Sequence, residues 1–198
     1  MVTLINAIKE VLYDTWPLIA LSSIVLIDIR LTYLLKNKEK IHLGNEMMML
    51  TFIVYILCLF QIVTSQDVSS VHGVNVTLFK ELTRYQIGTK LFYRNIIGNI
   101  IMFIPFGFFT SYYLKLNKKR TIFYLTLIVS VVIELIQLKI GRAFDVDDII
   151  LNMVGSMIGY LLYRLMDRVF GDLSDTIKGT FIVIGILTTI VILTIIII

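Results

Sequence analysis

Apolar residues run along this chain in six stretches of spanning length, near 15–35, 47–65, 95–114, 121–138, 148–166 and 179–198. A hydrocarbon layer about 30 Å thick needs about 20 helical residues to cross it, so each stretch predicts a transmembrane helix. Alternating polar positions are scarce and prolines number only two, which argues against a barrel. The predicted fold is therefore all-α: a polytopic membrane helix bundle forming one domain over 1–198, closed by a C-terminal transmembrane helix at 177–198. Residues 1–14 mix apolar positions with Asn6, Lys9, Glu10 and Asp14, the pattern of a short helix lying along a membrane surface. Trp16-Pro17 then opens the first span with an interfacial aromatic and a first-turn proline. Between the second and third spans, Gln66 to Tyr93 is the longest polar stretch, and it predicts an amphipathic external cover.

Polar positions inside the spans are few and patterned. Arg94, Asn95 and Asn99 open the third span, and Pro105, about halfway along it, frees the carbonyl of Ile101 and predicts a kink near Gly107. Thr126, Ser130, Glu134 and Gln137 form a stripe on the fourth, where Glu134 must be either protonated or paired with Arg94 or Arg142. The connector from Gly141 carries Arg142, Asp145, Asp147 and Asp148 into the fifth span, whose Asp148, Asn152, Gly155 and Gly159 recur at helical spacing. That face is expected to meet protein and not lipid. In the first span, Arg30 is placed to snorkel to the membrane surface, whereas Asp28 calls for an ion-pair partner.

Taken together, Arg94-Asn95 with Asn99, Phe103-Ile104-Pro105-Phe106-Gly107, Glu134 with Gln137, and Arg142 with Phe144-Asp145, Asp148, Asn152 and Gly155 closely resemble the VanZ-like membrane protein family. The likeness covers roughly residues 90–165. It implies a role in resistance to teicoplanin-type glycopeptides, and a Gram-positive plasma membrane as its location. The family has no assigned catalytic residues to carry over.

Composition agrees with the spans: 58% of residues are hydrophobic and 16% charged. The net charge of +4 is accounted for by basic loops and does not indicate nucleic-acid binding. Lys36, Lys38 and Lys40, then Lys115, Lys118, Lys119 and Arg120, then Arg164, Arg168 and Lys178 all fall on one side, which is predicted to be cytoplasmic. One cysteine, Cys58, permits no internal disulfide. Two histidines, His42 and His72, are placed on opposite sides and so form no metal pair, and no cofactor site is predicted.

In this topology Asn95, Asn99, Glu134, Gln137, Asp148 and Asn152 lie within roughly two helical turns of the outer surface. Such a cluster is a hydrogen-bond network holding helices together or a site open to the outer leaflet. As a binding site, Arg94, Asn95, Asn99, Gln137, Arg142, Asp145 and Asn152 would receive the head of an amphiphile whose tail lies in the bilayer, such as a membrane lipid or a lipidated glycopeptide. As a hydrolase or transferase acting on a lipid or lipid-linked cell-wall precursor, Glu134 or Asp148 would serve as acid or base. No nucleophile is marked for the second reading. Transport is disfavoured, because no internal repeat appears and the polar groups are expected to stay in the outer half.

Overall fold

The computed structural model describes residues 2–40, 42–64, 74–79, 84, 89, 92–171, 173–174, 177 and 179, with side chains described for all but 2–12, 14, 15, 19, 93 and 94. The sixth apolar stretch and most of the predicted external cover therefore lie outside the described residues. Among the described residues, five helices are long and apolar enough to cross a membrane: Trp16–Asn37, Leu43–Thr64, Asn95–Leu114, Lys119–Lys139 and Val146–Phe170. The all-α polytopic class is the one observed. The described residues fall into two compact units, one within Met1–Gln61 and Phe170–Ile198 and one within Ile62–Val169.

The first unit is built from α1 (Val2–Asn37) and α2 (Leu43–Thr64). Arg30 on α1 makes a two-pronged ion pair with Glu46 on α2, Nε to Oε2 at 2.8 Å and Nη2 to Oε1 at 3.0 Å. Two expectations change here. Residues 1–14 are not a separate helix, since α1 runs unbroken from Val2 through Pro17. The proline forfeits one hydrogen bond, to the carbonyl of Tyr13, whereas ending the helix there would leave several backbone groups unmet. The ion pair also belongs to Arg30 and not to Asp28, which is exposed and unpaired among the described residues. Residues two apart on a helix point to different sides, so α2 can meet only one of them.

The second unit contains α3 (Gly98–Leu114), α4 (Lys119–Lys139) and α5 (Val146–Phe170), with a π-helical turn at Tyr93–Ile97 leading into α3. Two short strands, β1 (Val74–Asn75) and β2 (Phe144–Asp145), pair in parallel with Val74 opposite Phe144 and Asn75 opposite Asp145. Polarity is distributed inside out. Thr126, Ser130, Glu134 and Gln137 of α4 and Asp147, Asn152 and Ser156 of α5 are buried, while Phe123, Tyr124, Ile128, Val132, Leu161, Leu162 and Leu165 are exposed. Water would favour the reverse; lipid favours this, because apolar side chains lose nothing there and polar ones must bond to one another.

Small residues bring α3 and α5 together. A Cβ built at Gly155 would overlap the carbonyl oxygen of Ile100, one at Gly159 that of Ile104, and one at Gly107 that of Ser156. The predicted small-residue face of α5 thus meets protein, and its Gly155–Gly159 spacing is the one that lets helices approach backbone to backbone in lipid. Pro105 is accommodated inside α3 without ending it. At the far end, Tyr160 Oη donates to the carbonyl of Asn117 at 3.2 Å and Arg164 Nη1 to Asn117 Oδ1 at 2.9 Å, which ties the basic α3–α4 loop to α5.

Candidate functional site

The six-residue connector between α4 and α5 is shaped from both ends. Gly141 has φ 90°, a left-handed conformation that costs a residue with a Cβ but not glycine. It lets the chain double back, so that Arg142 N–H donates to the Gln137 carbonyl at 2.9 Å and Gly141 N–H to that of Leu138 at 3.3 Å. This pair of bonds is the Schellman closure of a helix, and it sets Arg142 over Gln137. At the other end Asp145 caps α5: its Oδ1 accepts the Asp147 N–H at 2.8 Å. Asp147 and Asp148 in the first turn suit the positive end of the helix dipole.

The segment at β1 is clasped onto this cap. Asn75 Nδ2 donates to Asp145 Oδ2 at 3.0 Å, and the Phe79 N–H donates to Asp147 Oδ1 at 2.7 Å. Asp145 and Asp147 therefore hold the β1 segment to the N-terminus of α5. Asn75 is a structural partner that the sequence did not mark.

Glu134, 1% exposed, stitches α4 to the connector. Its Oε2 accepts the Asp145 N–H at 2.8 Å. With the Gln137 amide nitrogen turned toward Glu134, it donates to Oε1 at 3.0 Å while its oxygen accepts from Arg142 Nη1 at 3.2 Å. The opposite orientation would set an oxygen against a carboxylate and an NH₂ against a guanidinium. Glu134 is expected to be either protonated or paired with Arg94 or Arg142; toward Arg142 the contact is indirect, since an amide stands between carboxylate and guanidinium. The Arg94 backbone lies in the π turn, and its side chain is outside the described residues.

Deeper pairs continue the cluster. Asn99 Nδ2 donates to Asp148 Oδ1 at 2.6 Å, Asn152 Nδ2 to Ser130 Oγ at 2.8 Å, and the Thr126 and Ser156 hydroxyls share a hydrogen at 2.5 Å. Asn152 Oδ1 is buried without a partner, a cost of about 1–3 kcal/mol. The polar seam thus runs further into the bundle than the outer half to which the sequence confined it. Asn95 sits in the π turn and is half-buried.

The arrangement brings Asn99, Glu134, Gln137, Arg142, Asp145, Asp148 and Asn152 to one end of three antiparallel spans, opposite the Lys115–Arg120 loop. Ser130 is bonded to Asn152 and Thr126 to Ser156, so neither hydroxyl is hydrogen-bonded to Glu134 as an activated nucleophile would be. Glu134 and Asp145 each direct both oxygens at N–H donors, and among the described residues no group of three His, Cys, Asp or Glu side chains is placed to hold a metal ion. The cap at Asp145 was open to recognition, since an aspartate just before an apolar helix is a common start signal. The contacts to Asn75 and Phe79 span about 70 residues and carry no local signal.

Comparison with known proteins places this geometry. The model of the VanZ/LLP1 family matches residues 47–167, which run from within α2 to within α5 and take in the whole cluster. Protein VanZ of Enterococcus faecium is 37% identical over 78 residues, 38% of this chain and 48% of that protein. The aligned part thus spans about half the length of that relative. No solved structure matches.

Proposed function

Since the chain belongs to the VanZ/LLP1 family, we propose that it lowers susceptibility to teicoplanin-type lipoglycopeptides from the plasma membrane of a Gram-positive cell. It acts there at the outer leaflet on an amphiphile or a cell-envelope component. The observation that supports this reading is the polar cluster at one end of α3, α4 and α5, where Glu134, Gln137, Asp145 and Asn152 are buried and Asn99 bonds Asp148, at the end that the positive-inside rule predicts to face outward. A lipid-facing wall beside such a cluster suits a ligand with an acyl chain in the bilayer and a polar head above it, whether membrane lipid, lipidated glycopeptide or lipid-linked wall precursor. A lipid hydrolase or transferase using Glu134 and Asp148 is the second reading, favoured by two carboxylates at one depth. It predicts an altered lipid or precursor profile in expressing cells, whereas a binder leaves that profile unchanged.

The test expresses wild type and Asp148→Asn in a Gram-positive host, measures teicoplanin and vancomycin susceptibility, and quantifies both proteins in the membrane. Protection against teicoplanin by wild type but not by an equally abundant variant is the expected result. No protection by either, or protection that follows abundance alone, would remove the reading.

A further inference from the structure

We propose that Arg142 is an oxyanion-binding residue, presented by Gln137 and the closure of α4 to the phosphate or carboxylate in the head of an amphiphile. The inference rests on the outer-end reading above and names the head group chemistry that this end selects.

The observation behind it is a cation kept apart from nearby acid. Glu134, Asp145, Asp147 and Asp148 all lie on the last turns of α4, the connector or the first turn of α5, yet Arg142 pairs with none of them. Arg30, by contrast, pairs directly with Glu46 in the other unit. The separation has a structural cause. Both oxygens of Glu134 are taken by neutral donors, the Asp145 N–H and the Gln137 amide, and the far side of that amide accepts from Arg142 Nη1 at 3.2 Å. Gln137 thus fixes one edge of the guanidinium without neutralising it.

A guanidinium carries five N–H donors in a planar fork, and this contact uses one. The remaining donors suit the paired oxygens of a phosphate or carboxylate, a geometry that lysine reproduces only as a point charge. Arg142 is half-buried, so part of its surface is accessible, and its backbone is fixed by the 2.9 Å bond to the Gln137 carbonyl. Position, orientation and charge are all set before a ligand arrives.

The test uses the full chain in lipid nanodiscs of phosphatidylcholine, with retention of added lipid read by native mass spectrometry. Phosphatidylglycerol and diacylglycerol with the same tails are the probes, so that they differ in the charged head and not in the apolar part. Wild type is expected to retain phosphatidylglycerol roughly tenfold or more over diacylglycerol, the scale of one charge-assisted hydrogen bond. Arg142→Gln should lose that preference and Arg142→Lys keep part of it, both at wild-type helix content. Inorganic phosphate that displaces the lipid identifies a site for the free anion as well, whereas failure to displace identifies a lipid headgroup site. An undiminished preference in Arg142→Gln, or none in wild type, overturns the proposal. Retention through Arg142 without antibiotic protection would sink the resistance reading and leave this one standing.

Discussion

Asp145 joins three parts of the second unit, and replacing it by alanine measures that junction. The carboxylate caps α5 through Asp147 N–H at 2.8 Å and accepts from Asn75 Nδ2 at 3.0 Å. Losing an aspartate cap costs about 1 kcal/mol, and losing a charge-assisted bond to a side chain that stays in place costs about 1.5–3 kcal/mol. The backbone N–H that Glu134 accepts is unaffected, so Asp145→Ala should cost about 3 kcal/mol in total. Asp145→Asn keeps the cap, because asparagine serves there as well as aspartate, and should cost about 1 kcal/mol through the lost charge. The assay is titration of the detergent-solubilised chain with sodium dodecyl sulfate, followed by far-ultraviolet circular dichroism. Fluorescence of the single tryptophan is unsuitable, since Trp16 lies in the other unit. Wild type, asparagine and alanine should unfold in that order, from most to least resistant. Coincident curves for wild type and Asp145→Ala would refute the argument that this residue fastens the β1 segment to α5.

Ser130→Ala removes the acceptor of Asn152 Nδ2 and leaves both ends of a buried amide unmet, at a cost of about 1–3 kcal/mol in the same titration. The double change Ser130→Ala with Asn152→Leu removes all those polar atoms together and should lie within about 1 kcal/mol of wild type. Gly155→Ala drives a methyl into the Ile100 carbonyl and must part α3 from α5, costing about 1–3 kcal/mol or more and lowering membrane abundance. Val154→Ala, a change on the exposed face one residue away, should leave abundance nearly unchanged.

Much of the architecture was legible in the sequence because lipid imposes a simple rule on it. A helix in hydrocarbon satisfies its own backbone, so length and apolar content alone mark the spans, and five of the six lie within the described residues. The same rule turns a polar stripe into an inward face. Thr126, Ser130, Glu134 and Gln137, and the run Asn152, Gly155 and Gly159, are buried as their spacing predicted. Pattern alone could not say which donor meets which acceptor. Any of several neighbours carries the charge to pair with Glu134, and only the folded chain decides that an amide and a backbone N–H do so, with Arg142 held one residue away. Nor could it join Asn75 to Asp145, because a contact between distant segments depends on where the intervening helices return the chain. The class, the spans and the polar faces are consequences of local periodicity in a uniform solvent, and so could be read from the chain alone. The partners depend on contacts between distant segments, which make one acid a helix cap and two of them a clasp for the β1 segment, with the Arg142 guanidinium bonded to an amide instead.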